Sequence, residues 1–121
     1  MYQCHIRFYF AGRQPEIYNT IKEMKPSECF SYEFSQSDTP DAALAANADI
    51  FFAEVCDEES ARGLRELTSY RKPVIVLADK QSAALLSDQL EDIEDIWTLP
   101  MSREETEFRF SRLQRLCKKY G

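Results

Sequence analysis

Two rhythms of apolar residues take turns along the chain, one repeating every second residue and one every third or fourth. "CHIRFYFA", Cys4 to Ala11, has the first rhythm and reads as a strand. "PEIYNTIKEM" opens with Pro15, suited to the first helical position, and then places Ile17, Ile21 and Met24 on one helical face. "CFSYEFS" alternates Phe30, Tyr32 and Phe34 with Ser31, Glu33 and Ser35, the pattern of a strand with one wet face, expected at a sheet edge. "PDAALAANA" predicts a short, alanine-rich helix. In "ADIFFAEV" four apolar residues, Ile50 to Ala53, run into Glu54, and such a run predicts a strand buried on both faces. Asp57 suits a helix N-cap, with Glu58 and Glu59 in the first turn and Ala61, Leu64 and Leu67 as the apolar stripe. "PVIVLA", Pro73 to Ala78, is a fourth strand, and Asp79 is placed to cap a helix over "KQSAALLSDQL". "DIWTLP" is a short fifth strand. Ser102 and Glu105 have capping-box spacing for a last helix with Phe110, Leu113 and Cys117 on one face and Lys118 and Lys119 in its final turn.

Five strands alternating with five helices make parallel strand–helix–strand units, and right-handed crossovers close them into a doubly wound sheet. The expected fold is α/β: a five-stranded parallel sheet of flavodoxin-like order 2-1-3-4-5, with helices on both faces. The amphipathic second strand belongs at the edge and the apolar third and fourth in the middle. The first strand fits less well, because His5, Arg7 and Tyr9 make it more polar than a central strand should be.

The chain has 121 residues, of which 44% are hydrophobic and 30% charged, so a single globular domain is expected and disorder is not. A formal charge of −6 argues against gripping nucleic acid. The basic residues between Arg103 and Lys119 read as a solvated helix face. Apolar stretches are strand-sized and "MYQCHIRFYF" lacks a signal-peptide core, so neither a membrane span nor a leader is expected, and the location reads as cytoplasmic. Cys4, Cys29, Cys56 and Cys117 show neither C-x-x-C nor metal-ligand spacing and are expected to be reduced, small apolar side chains.

Ligands of such a sheet bind at the carboxyl ends of its strands. The residues there are Gly12, Arg13 and Gln14, then Glu54, then Ala78 and Asp79, then Leu99 and Pro100. "AGRQPE" has one glycine and no hydroxyl, too little for a flavin phosphate. His5, the lone histidine, falls inside the first strand, where a packed structural role is expected, and no catalytic triad can be assembled. The expectation is a protein with no enzymatic activity, no cofactor and no metal.

Over nearly its whole length the chain resembles the receiver domains of bacterial response regulators. "FYFAGRQPE" is similar to the family's first strand, acidic loop and the proline of helix 1; "ADIFFAEV" to the strand that ends at the phosphorylated aspartate; "KPVIVLAD" to the strand that ends at Thr or Ser; and "DIWTLPMSREE" to the strand before the Lys-Pro step. The resemblance puts the metal-binding acids at Gly12 and Arg13, the phosphoacceptor at Glu54, the hydroxyl at Ala78, the lysine at Leu99 and the switch aromatic at Ile96, beside Trp97. Every one of these positions is altered. Without the two acids a hard cation lacks oxygen ligands, and phosphoryl transfer loses the charge neutralisation on which it depends.

The resemblance therefore implies a degenerate receiver: a phosphorylation-independent signalling domain acting by protein–protein contact or as a homodimer, the N-terminal module of a longer protein with an output domain. Its interaction face would be helix 4, strand 5 and helix 5, carrying Lys80, Asp88, Glu91, Trp97, Arg109, Arg112 and Arg115. The alternative is a sensor or enzyme for a small polar ligand that reuses the crevice around Arg13, Glu54, Asp57 and Asp79. Two local expectations complete the reading: a cis Leu99–Pro100 bond, as the resemblance implies, and a pairing of Glu54 with Arg13 where a receiver holds its metal.

Overall fold

The computed structural model describes residues 4–13, 15–23 and 30–113. In chain order the elements are β1 (Cys4–Ala11), α1 (Pro15–Glu23), β2 (Phe30–Ser37), α2 (Ala42–Asn47), β3 (Ile50–Glu54), α3 (Glu58–Thr68), β4 (Val74–Asp79), α4 (Lys80–Ala83), β5 (Asp95–Leu99) and α5 (Arg103–Arg112). All strand pairings are parallel and the sheet order is β2-β1-β3-β4-β5, as the pattern predicts.

The sheet separates two cores. Ile6, Phe8, Phe10, Phe52, Ile75, Leu77 and Trp97 face α1 and α5, meeting Ile17, Ile21, Phe110 and Leu113. Tyr9, Phe51, Val74, Val76 and Ala78 face the other side, meeting Ala45, Ala61, Leu64, Leu67 and Leu86. β3 and β4 are buried on both faces, which is why they read as unbroken apolar runs.

The polar alternation of β1 has a geometric cause. Cys4 to Ala11 all pair with β2, but pairing with β3 begins only at Phe8. On this side α2 has six residues, about 9 Å of helix against roughly 26 Å of strand. It therefore covers the upper half of β1 and leaves the lower half wet. Tyr9 lies under that cover with no exposed surface. Its hydroxyl accepts from the Asp41 N–H (2.9 Å), donates to the Thr39 carbonyl (3.3 Å) and bonds the Ser37 hydroxyl. His5 and Arg7 lie in the uncovered half and are exposed. His5 is thus no packed core histidine: its ring bonds the Ser31 hydroxyl (2.7 Å) and the Glu33 carboxylate (3.0 Å).

Short α2 is held at both ends. Asp41 caps its start by accepting from the Leu44 N–H (3.1 Å), and Lys72 donates to the carbonyls of Ala45, Ala46 and Ala48 at its end. α4 departs from expectation. Asp79 does cap it, accepting from the Ser82 N–H (2.6 Å), but regular helix ends at Ala83 and the chain continues in two 3-10 turns, Ala84–Leu86 and Leu90–Asp92. Ser87 and Asp88 favour local bonds over helix, and Gln89 ties the segment to α3 by donating to the Ala61 carbonyl (3.1 Å). At α5 the Ser102 hydroxyl accepts from the Glu105 N–H (3.1 Å), while the Glu105 carboxylate holds Arg109 (3.2 Å). The complete capping box is at α3, between Asp57 and Ser60. Met24, Cys29, Arg115, Cys117, Lys118 and Lys119 lie outside the described residues.

Candidate functional site

The carboxyl ends of the strands open onto two cavities that share Glu54 and Cys56. The smaller, about 330 Å³, is lined by residues that include Glu16, Glu54, Asp79, Leu99, Pro100 and Met101. The larger, about 740 Å³, runs between α3 and the β2–α2 loop and takes in Gly12, Arg13, Asp38, Pro40, Glu54 and Gly63. Of the six predicted pocket residues, Glu54, Leu99 and Pro100 meet in the first cavity and Gly12, Arg13 and Glu54 in the second. Ala78 lines neither; it is buried in the α2–α3 core. Arg13 and Asp79, grouped by the ligand-sensor alternative, lie in different cavities.

Gly12 has φ of +150°, a conformation that L side chains rarely adopt, and a Cβ built there would lie 2.5 Å from the Glu54 Cβ. Its backbone is pinned as well: the N–H donates to the Ser37 carbonyl (2.9 Å) and the carbonyl accepts from the Gln36 amide (2.7 Å). A carboxylate at position 12 has no room.

The expected Arg13–Glu54 pair does not form. Arg13 Nε lies 3.4 Å from Asp38 Oδ2, with both side chains largely exposed. Glu54 is half-buried, and its Oε2 is enclosed without a hydrogen-bond partner. A long arginine keeps its charge hydrated by swinging outward to a solvated acid, whereas reaching Glu54 would desolvate it.

The neighbouring acids are engaged in capping. Asp57 accepts from the N–H (2.8 Å) and hydroxyl (2.8 Å) of Ser60, which hold its carboxyl below the usual range. The bonds from Ser82 do the same for Asp79. Ser60 also accepts from the backbone N–H groups of Cys56 and Asp57; only the reciprocal, second half of a capping box could have pointed to it in the sequence. Cys56 is exposed at the crevice, contrary to the expectation of a packed apolar thiol. Among the described residues no group of three His, Cys, Asp or Glu is arranged to hold a metal ion. The divalent cation that the receiver pattern calls for does not fit: Gly12 offers no ligand, Arg13 offers a positive charge, and Asp57 and Asp79 already accept from their own helices.

On strand five, Trp97 is not part of a surface. It is fully buried against Phe52, with ring centroids 5.2 Å apart, and its indole N–H donates to Asp95 (3.2 Å). Lys80, Asp88, Glu91 and Arg112 are exposed as expected, and Arg109 is held by Glu105 and Asp95. Among the described residues the exposed large apolar side chains are Leu85, Leu90 and, most exposed, Phe108 at 63%. The Leu99–Pro100 peptide bond is cis, as expected. No described helix is long and apolar enough to cross a membrane.

No protein-family profile and no curated protein sequence matches the chain. Solved structures do. The phosphorylated cyanobacterial phytochrome response regulator RcpA superposes with a TM-score of 0.69 at 13% identity, over 97% of this chain and 96% of that one. The receiver domain of NtrX from Brucella abortus gives 0.66 at 12%, over 90% and 98%. Against longer NtrX from the same organism the score is 0.68 at 12%, over 96% of this chain but only 28% of that one. At such identities the likeness concerns architecture alone, and it agrees with the strand order. The chain has the fold of a response-regulator receiver domain.

Proposed function

We propose that this single domain is a receiver-like signalling module that acts through protein–protein contact and carries out no phosphotransfer. The observation that carries the proposal is the contact between Gly12 and Glu54: it closes the position of the metal-binding acid with the stem of the residue that stands for the phosphoacceptor. Leu99 in the crevice supplies no charge for a phosphoryl group, and Ala78, buried in the core, supplies no hydroxyl.

The partner is an output domain of a longer signalling protein or a second copy of this chain. The length match to only 28% of NtrX is consistent with a module that occurs inside longer proteins. The contact face we favour is the α4–β5–α5 side, where exposed Lys80, Asp88, Glu91 and Arg112 accompany Phe108, Leu85 and Leu90. Mixed charge with apolar residues suits a contact that is self-complementary or transient. A formal charge of −6 disfavours nucleic acid as the partner, and a cytoplasmic location goes with the role.

Titration with magnesium and beryllofluoride, followed by NMR, tests the proposal. The amides of Gly12, Glu54 and Ala78 are expected to stay in place. A shift there that needs both reagents together would overturn it.

A further inference from the structure

We propose that residues 38–48, the β2–α2 loop together with α2, form a flap that opens as a unit while the sheet and α3 stay folded. The inference goes beyond the interaction reading and does not depend on it.

The flap has little apolar anchorage. α2 has six residues, too few to stay helical in water by themselves. Ala45 is its only buried side chain, Leu44 is half-buried, and Ala48 is buried just past its end. By contrast, α3 buries Ala61, Leu64 and Leu67. Two methyl groups and part of a leucine contribute little against the entropy of ordering the whole segment.

What closes the flap is a set of ties near its two ends. The Tyr9 hydroxyl accepts from the Asp41 N–H (2.9 Å) at one end. At the other, the Lys72 ammonium donates to the carbonyls of Ala48 (2.6 Å), Ala46 (3.1 Å) and Ala45 (3.4 Å). The loop also rests on α3 at Gly63, where an added Cβ would lie 3.2 Å from Pro40 Cγ. The chain on either side is fixed and supplies the hinges. Ser37 pairs with Ala11, and its carbonyl accepts from the Gly12 N–H (2.9 Å). The Asp49 N–H donates to the Arg7 carbonyl (2.7 Å), and the Asp49 carboxylate accepts from the Arg7 N–H (2.9 Å). Opening bares Tyr9 and removes the wall that Asp38, Thr39 and Pro40 give the larger cavity. The flap is thus a gate between that cavity and the wet half of β1.

Amide hydrogen exchange of the folded domain at increasing urea is the test. The Ala45 and Ala48 N–H groups, bonded to the Asp41 and Ala45 carbonyls, should exchange through one shared opening. They should do so at least about tenfold faster than β3 and β4 and with little dependence on urea, because a small opening exposes little surface. Ile75→Val, in the core on the other side of the sheet, should speed β3 and β4 severalfold and leave Ala45 and Ala48 unchanged, since its packing survives the opening. Lys72→Met keeps an apolar stem beside Phe51 and Tyr70 but loses the ammonium, and should speed Ala45 and Ala48 about tenfold. Gly63→Ala presses on Pro40 and should speed them severalfold; β3 and β4 should speed less, because alanine favours α3 with the flap open or closed. Exchange of Ala45 and Ala48 only together with β3 and β4, separate openings for the two, an effect of Ile75→Val on them, or no effect of Lys72→Met or Gly63→Ala would overturn the proposal.

Discussion

Gly12 rests against Glu54 so closely that any side chain at position 12 would meet the Glu54 Cβ, 2.5 Å from its own. Two changes from the receiver pattern that look independent in the sequence are thus one arrangement in space. The glycine, at φ of +150°, lets the backbone pass against the Glu54 Cβ, and that approach, together with the backbone angle, leaves no room for the acid that a metal site requires.

Gly12→Ala should destabilise the fold by about 2 kcal/mol or more, because it combines a strained φ with a contact that the pinned backbone cannot relieve. Urea unfolding measures this. Gly12→Asp should be at least as damaging and should create no magnesium site, so its unfolding midpoint should not rise with added magnesium.

Arg13 should matter little. Its ion pair with Asp38 is solvent-exposed on both sides, and such pairs contribute about 0–1 kcal/mol. A double-mutant cycle of Arg13→Ala with Asp38→Asn should show weak coupling that fades in salt, and Arg13→Ala with Glu54→Gln should show none. Strong coupling in the second cycle would restore the direct pair.

Tyr9→Phe should cost about 1 kcal/mol, since it leaves the part-buried Asp41 N–H without its acceptor. The damage should be local. Hydrogen exchange should speed up in residues 37–41, the wall of the larger cleft, more than in β3 or β4.

Acid should unfold the domain partly through its helix caps. Asp57 and Asp79 have carboxyl groups held below their ordinary value by hydrogen bonds from Ser60 and Ser82. A lowered folded-state pKa stabilises above the unfolded value, and the benefit fades as pH falls through the folded one. The wild type should therefore lose stability below about pH 4, and Asp57→Asn should flatten that part of the pH profile. An unchanged slope would show that Asp57 is not the group responsible.

What the sequence revealed, and what it hid, follows from how far each feature depends on distant residues. β3 and β4 could be read at once, because burial on both faces leaves an unbroken apolar run, and the strand order followed from them. The wet half of β1 is not legible in the sequence: it depends on where β3 begins and how far α2 reaches, so the pattern alone points to a packed His5. Trp97 reads as part of an interaction face in the sequence and is buried in the structure, because a five-residue strand does not reveal which of its parities faces inward. The true partner of Arg13 is hidden in the sequence because Asp38, twenty-five positions away in the chain, comes close only through the β1–β2 pairing. Gly12 did carry a signal, since a lone glycine at a strand end marks close backbone approach. In the sequence it read as a missing acid, and only the geometry made it a partner of Glu54.

The direct test of a receiver fold without receiver chemistry is intact mass after incubation with magnesium and a small phosphodonor such as acetyl phosphate. If Gly12 and Glu54 close the metal site, the mass of the wild type stays unchanged. A magnesium-dependent gain of one phosphoryl group that disappears in Glu54→Gln would contradict it.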